Sequence, residues 1–215
     1  MTRYPDSIAA IVEHEIVIKK SRFIAHAIPV RSVADADAAI AVIRTRYWDA
    51  RHNCTAMITG VRGGSGTLSD DGEPSGTAGM PMLEVLRRRE LTDLVVVVTR
   101  YFGGVKLGAG GLVRAYSSAV SEALDLAAII HRRELVAVSV EVPHADAGRY
   151  ENVLRDWASR HDAVMVETGY GANAALGLRV SPELLDRFDA DLAAASAGLV
   201  VARRGDVSVI DVPAG

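Results

Sequence analysis

The chain has 215 residues, 49% of them hydrophobic and 24% charged, with a formal net charge of −3. This length fits one large domain or two small ones, and the apolar share is enough for a packed core, which excludes a disordered or fibrous chain. A single cysteine, Cys54, excludes an internal disulfide framework, and no apolar run approaches the ~18 residues of a membrane helix.

The first ten residues carry no clear pattern. Ile11 to Lys19 has apolar positions alternating at Ile16 and Ile18 and reads as a strand. Lys19-Lys20-Ser21-Arg22 reads as a turn and Phe23 to Val30 as a second strand, so the two form a hairpin. Ser32 caps a helix, with Asp35 three residues on as a variant capping box. Ala36, Ile40, Ile43 and Tyr47 give that helix its apolar face. His52 to Val61 is the next strand, with Cys54 read as a buried thiol. Residues 62–79 are turn-rich, and loops of that length are usually functional or disordered. Met80-Pro81-Met82-Leu83 starts a helix that ends near Arg87-Arg88-Arg89-Glu90, where basic residues suit the negative end of the dipole.

Leu94 to Leu124 is the stretch around which the chain is organised. The run Leu94-Val95-Val96-Val97-Val98 reads as a strand buried on both faces. It turns polar at Thr99-Arg100-Tyr101-Phe102 and enters a loop, Gly103 to Gly111, with five glycines in nine residues. Beyond the loop, Leu112, Val113, Tyr116, Ala119, Val120, Ala123 and Leu124 fall on one helical face. A glycine loop opening a helix leaves backbone N–H groups free to meet an anion. Arg100, Lys106 and Arg114 add positive charge to that prospect. The loop is neither a Walker A motif nor a dinucleotide fingerprint, because no Gly-Lys-Ser/Thr triplet is present and Val113 stands where the third glycine belongs. The glycines also fit a tight turn with close helix–strand packing and no ligand.

His131-Arg132-Arg133-Glu134 is the expected domain boundary, giving domains 1–132 and 133–215. The second part reads β-α-β-β-α-β, the ferredoxin-like order, with Ser181 capping its second helix ahead of Pro182. Residues 1–133 carry a formal charge of +3 and residues 134–215 carry −6. An anionic partner is therefore expected on the first part rather than along the whole chain. Arginine outnumbers lysine 21 to 3, as GC-rich coding would also produce.

Asp70, Asp71 and Glu73 place three carboxylates in four positions of the turn-rich loop. Such acids hold Mg²⁺, pair with Arg100 or Lys106 to fix the loop, or serve as turn residues. His52 beside Asn53 and Cys54 is a candidate acid or base, but no nucleophile–base–orienter set and no His-x-x-x-His spacing can be assembled.

Four segments then meet: Lys20-Ser21-Arg22-Phe23-Ile24-Ala25; Ala50-Arg51-His52-Asn53-Cys54; Ser69 through Met82; and Arg100 through Tyr116. Together they closely resemble the YigZ/IMPACT family of two-domain bacterial proteins. The resemblance implies an α+β protein. Its N-terminal α/β sandwich would be like the second domain of small-subunit ribosomal protein S-five, and its C-terminal ferredoxin-like domain like the last domain of elongation factor G. Eukaryotic relatives are translation regulators that compete for an activator of a stress kinase; they carry a different accessory domain, so that partner does not transfer. Some bacterial members are labelled dipeptidases, yet this sequence offers no recognisable peptidase metal set.

The expected function is a cytoplasmic, non-enzymatic, translation-associated regulatory protein that contacts RNA, the ribosome or a translation factor, with no cofactor, no metal and no membrane. The alternative is a phosphate-ligand or nucleotide-binding enzyme, the Gly103–Gly111 loop cradling phosphates and the acidic loop holding Mg²⁺. In either reading the binding residues are Arg100, Tyr101, Gly103, Gly104, Lys106, Gly108, Gly110, Gly111 and Arg114, with Asp70, Asp71, Glu73, Ser75, His52 and Asn53 beside them. The sequence leaves the oligomeric state open.

Overall fold

The structure, a computed structural model, describes residues 4–64 and 66–213, apart from the side chain of Pro213. The chain forms two compact units: one reaches Arg132 and takes in the end of the chain from Asp211, and the other is Arg133–Ile210.

The first unit holds β1 (Ser7–Ile8), β2 (Val12–Ile18), β3 (Ser21–Pro29), α1 (Val33–Arg46), β4 (His52–Ile58), β5 (Thr67–Ser69), α2 (Gly79–Arg88), β6 (Leu94–Tyr101) and α3 (Ala109–Asp125). Its sheet runs β2-β3-β6-β4-β5, antiparallel throughout. β6 is the middle strand, and its side chains alternate between two cores. Leu94, Val96 and Val98 join the core that includes α2 and α3, while Val95 and Val97 join the core formed with α1. Helices on both faces explain why this strand reads as an unbroken apolar run.

The capping expected of α1 is present. Asp35 N–H donates to Ser32 Oγ at 3.1 Å, and the Asp35 carboxylate accepts from Arg31 N–H at 3.2 Å, one residue earlier than a standard box. Ala36 and Ile43 are buried, with Ile40 and Tyr47 packed against them. On α3 the buried stripe is Leu112, Ala115, Tyr116, Ala119, Val120, Ala123 and Leu124. Val113, expected in that stripe, is exposed, and Ala115 takes its place, because alternating steps of three and four residues from Leu112 reach 115 and 116.

Two short strands lie where the sequence shows only loop. β1 pairs with the start of β7 (Ile129–Val142), and β5 pairs with Thr55–Met57 inside the turn-rich region. β7 also runs straight through His131-Arg132-Arg133-Glu134, so the expected linker is continuous strand. Arg132 is nearly buried there, in ion pairs with Asp93 at 2.7 Å and Asp211 at 3.0 Å.

The second unit continues from β7 with α4 (Ala147–His161), β8 (Val164–Tyr170), β9 (Ala174–Val180), α5 (Leu185–Ser196) and β10 (Ala202–Pro213). Its strands lie in the order β10-β7-β9-β8, the arrangement of the βαββαβ motif. Alternate residues of β7 and β9, from Val136 to Val142 and from Ala174 to Val180, pack with Tyr150, Leu154 and Trp157 of α4 and Phe188 and Leu192 of α5. Trp157 and Phe188 meet edge to face at 4.8 Å, and the indole N–H donates to Asp191 at 2.8 Å. Ser181 does not cap the following helix through its side chain: its hydroxyl accepts from Arg133 Nη2 at 3.2 Å, and a short 3-10 turn, Pro182–Leu184, leads into α5.

Candidate functional site

The acidic loop follows β5 and returns to α2. Asp70 organises it. Its carboxylate accepts from the N–H groups of Gly76 at 2.8 Å, Ala78 at 3.1 Å and Gly79 at 2.8 Å. That satisfies first-turn donors of α2, whose own N-cap position is Ala78 and has no side chain able to do so. Partial burial works to raise the Asp70 carboxyl, but the three backbone donors outweigh it and hold it below the usual aspartate range. Asp71, at φ 42°, accepts from Asn53 N–H at 2.6 Å and pairs with Arg44 at 3.1 Å. Its carbonyl accepts from His52 Nδ1 at 2.9 Å, which sets the proton on that ring nitrogen.

Glu73 goes inward. Its Oε1 accepts from Arg100 Nη1 at 2.6 Å and from the Tyr116 hydroxyl at 2.8 Å, with both charged side chains buried. Cys54 Sγ lies 3.0 Å from the Asp70 carbonyl and 3.3 Å from the Tyr116 oxygen. Cys54 is fully buried, and burial pushes its thiol up to about 12 against the pull of the Tyr116 hydroxyl. Burial also raises the Tyr116 phenol, as do its neighbours Cys54 and Glu73. Asn53 is likewise internal, its side-chain oxygen accepting from Thr99 Oγ1 at 2.7 Å.

One of the roles open for the acidic loop, pairing of a carboxylate with Arg100, is present at Glu73, and it takes Arg100 off the expected binding surface. Arg100, expected on the binding surface, is 6% exposed and paired with Glu73. Its guanidinium carbon lies 5.4 Å from the Phe23 ring centroid and 5.7 Å from that of Phe102. The three carboxylates do not converge on a common point either; each has its own internal partner. Among the described residues, no group of three or more His, Cys, Asp or Glu side chains is placed to hold a metal ion.

The glycine loop is different. Gly104, Val105, Lys106, Gly108, Ala109 and Gly110 are exposed, as is Arg114 on the first turns of α3. Gly108 occupies the N-cap of α3 at φ 74°, no side chain caps the helix, and its first turn holds no acid. The first backbone bond of the helix is Leu112 N–H to the Gly108 carbonyl, so the N–H groups before it lie at an open surface. Gly103 is required by crowding: a Cβ there would stand 2.0 Å from the backbone of Lys20, in the β2–β3 turn. Its N–H donates to Ser21 Oγ at 3.2 Å, so turn and loop are locked together. Tyr101 is half-buried, its hydroxyl donating to Asp49 at 2.7 Å under the Arg22 guanidinium. That hydrogen bond, with some burial, pushes the phenol up to about 12. Ser75 is exposed on the acidic loop, and His52 is half-buried against Gly72.

The structure thus places Gly104, Lys106, Gly108, Gly110, Gly111 and Arg114 around one open loop and helix start. It sends Arg100, Glu73 and Asn53 inside. The sequence reading gives Lys19 and Lys20 as a turn and not among the binding residues; the structure sets that turn against the glycine loop at Gly103. The signal for them was a two-residue hairpin turn filled by Lys-Lys, where Asn-Gly is the usual choice.

Fold and site together define a two-unit α+β protein with an internally braced acidic loop beneath an exposed, basic glycine loop. Residues 19–124 match the family model described as the Impact N-terminal domain, and residues 140–199 match one described as a domain of unknown function (DUF1949). An IMPACT family member of Haemophilus influenzae is 36% identical over 195 residues, 90% of this chain and 92% of that one. IMPACT family member YigZ of Escherichia coli is 35% identical over 84% of this chain and 88% of its own. IMPACT family member YvyE of Bacillus subtilis is 49% identical over 67% of this chain and 66% of its own. A crystal structure of a hypothetical protein is similar over 94% of this chain and 97% of its own, with 32% identity and a TM-score of 0.60. The chain belongs to the IMPACT family.

Proposed function

We propose that this chain is a translation-associated regulatory protein that contacts RNA on the ribosome through the Gly103–Gly111 surface. The observation that carries this reading is the open start of α3: uncapped N–H groups flanked by exposed Lys106 and Arg114. Backbone donors and cations in that arrangement position phosphate oxygens. The surface is open rather than enclosed, which suits a macromolecular partner better than a small ligand. Family membership supports the reading. A cytoplasmic setting belongs to the same proposal; among the described residues no helix is long and apolar enough to cross a membrane. The acidic loop lends no support to the Mg²⁺ part of the enzyme alternative, since Asp70, Asp71 and Glu73 serve backbone N–H groups, Arg44, Arg100 and Tyr116.

The test is co-sedimentation with ribosomes at low and moderate salt, comparing the natural chain with Lys106→Ala/Arg114→Ala. Salt-sensitive co-sedimentation that the folded double variant loses supports the reading. No co-sedimentation at either salt rejects it.

A further inference from the structure

The chain uses arginine for almost every cation, yet all three of its lysines lie on the turn and the loop that adjoin at Gly103. Lys19 and Lys20 form the β2–β3 turn, the Lys20 backbone abuts Gly103, and Lys106 stands three residues further along the same loop. All three are exposed. The turn is also unusual. Lys19 has φ 48° and Lys20 φ 67°, so both occupy the left-handed region that two-residue hairpins normally fill with Asn-Gly. Side chains with a Cβ are strained there, and both positions hold lysine.

Between the turn and Lys106 lies Phe102, 54% exposed. Its ring is braced by the Arg100 guanidinium, which Glu73 fixes in place. The carboxylates nearby are already engaged: Glu15 takes Arg22 at 2.7 Å and Asp49 takes the Tyr101 hydroxyl. The patch is therefore an exposed aromatic face, backed by the Arg100 guanidinium, with three exposed lysines on the adjoining turn and loop. An ammonium on a flexible stem follows irregular phosphate positions as a point charge, where a guanidinium prefers a fixed two-point geometry. A fixed ring amid such charges is the arrangement that holds unpaired bases.

We propose that Phe102 is a stacking platform for a base of single-stranded RNA, with Lys19, Lys20 and Lys106 taking the flanking phosphates. This rests on the RNA-contact reading above and gives it a substrate form, an unpaired strand. The test is fluorescence anisotropy of a labelled single-stranded RNA of about twelve nucleotides, within the span that such surfaces cover, against the full-length chain. Phe102→Ala weakens binding about tenfold and leaves the salt slope unchanged. Phe102→Tyr restores it and Phe102→Leu does not, which separates stacking from mere apolar bulk. Alanine at all three lysines flattens the slope of log affinity against log salt by about 2.

Lys19→Asn/Lys20→Gly is the sharpest variant. It relieves the turn, raises the melting temperature of the first unit by about 2–4 °C, and still weakens RNA binding severalfold. Full affinity in that variant, or in Phe102→Ala, overturns the proposal. Ribosome co-sedimentation without affinity for single-stranded RNA overturns it as well, while leaving the broader reading intact. Loss of both removes the two together.

Discussion

Two polar loops of the first unit are built from similar materials and end in opposite states. The loop from Asp70 to Gly79 is closed on itself: each of its acids meets a backbone N–H, an arginine or a tyrosine of the same unit. The loop from Gly103 to Gly111 is left open, with an uncapped helix start and exposed cations. The contrast separates groups that hold the fold from groups left exposed at the surface. Glu73, Arg100 and Tyr116 form the seam between the two loops, so the closed loop keeps the open one in shape.

The largest expected effect comes from cutting that seam. Glu73→Ala leaves Arg100 buried beside no carboxylate and costs about 3–5 kcal/mol, read by urea denaturation of the full chain. Glu73→Leu with Arg100→Met recovers most of that loss, because the two charges are then removed together. Asp70→Ala strands the donors of Gly76, Ala78 and Gly79 and costs roughly 2 kcal/mol. The same residue gives a pH effect. Its carboxyl is depressed in the folded state, so its contribution is complete above the ordinary aspartate value of about 3.9 and is lost as pH falls through the lower native value. The natural chain therefore loses stability more steeply than Asp70→Asn from about pH 4 downward, as measured by thermal melts in acid buffers. The smallest effect on stability belongs to the open loop. Lys106→Ala/Arg114→Ala changes unfolding free energy by less than about 0.5 kcal/mol while abolishing ribosome co-sedimentation.

What the sequence disclosed follows the same division. β6 was legible because burial on both faces leaves only apolar residues, and α1 because its cap is local, Ser32 and Asp35 lying three residues apart. The β-α-β-β-α-β order was legible from clean alternation on β7 and β9. β1 and β5 were not, since short strands exist only through distant pairing, and the passage of β7 through His131–Glu134 was hidden by four consecutive polar residues. Arg132 in particular reads as a linker cation until Asp93 and Asp211 are seen beside it. At the site, the glycine loop and its exposed cations were legible from composition. The fate of Arg100 was not: a cation at a strand end serves a ligand or a buried acid equally well, and Glu73 lies 27 positions earlier in the chain.

On the proposed function, the open loop, and not the closed one, meets the partner. The measurement that tests it most directly is amide hydrogen exchange of the protein free and bound to ribosomes. Binding is expected to slow exchange across Gly104–Leu112 and to leave the amides held by Asp70 unchanged. Slowing confined to residues 70–79, or to the second unit, would contradict it.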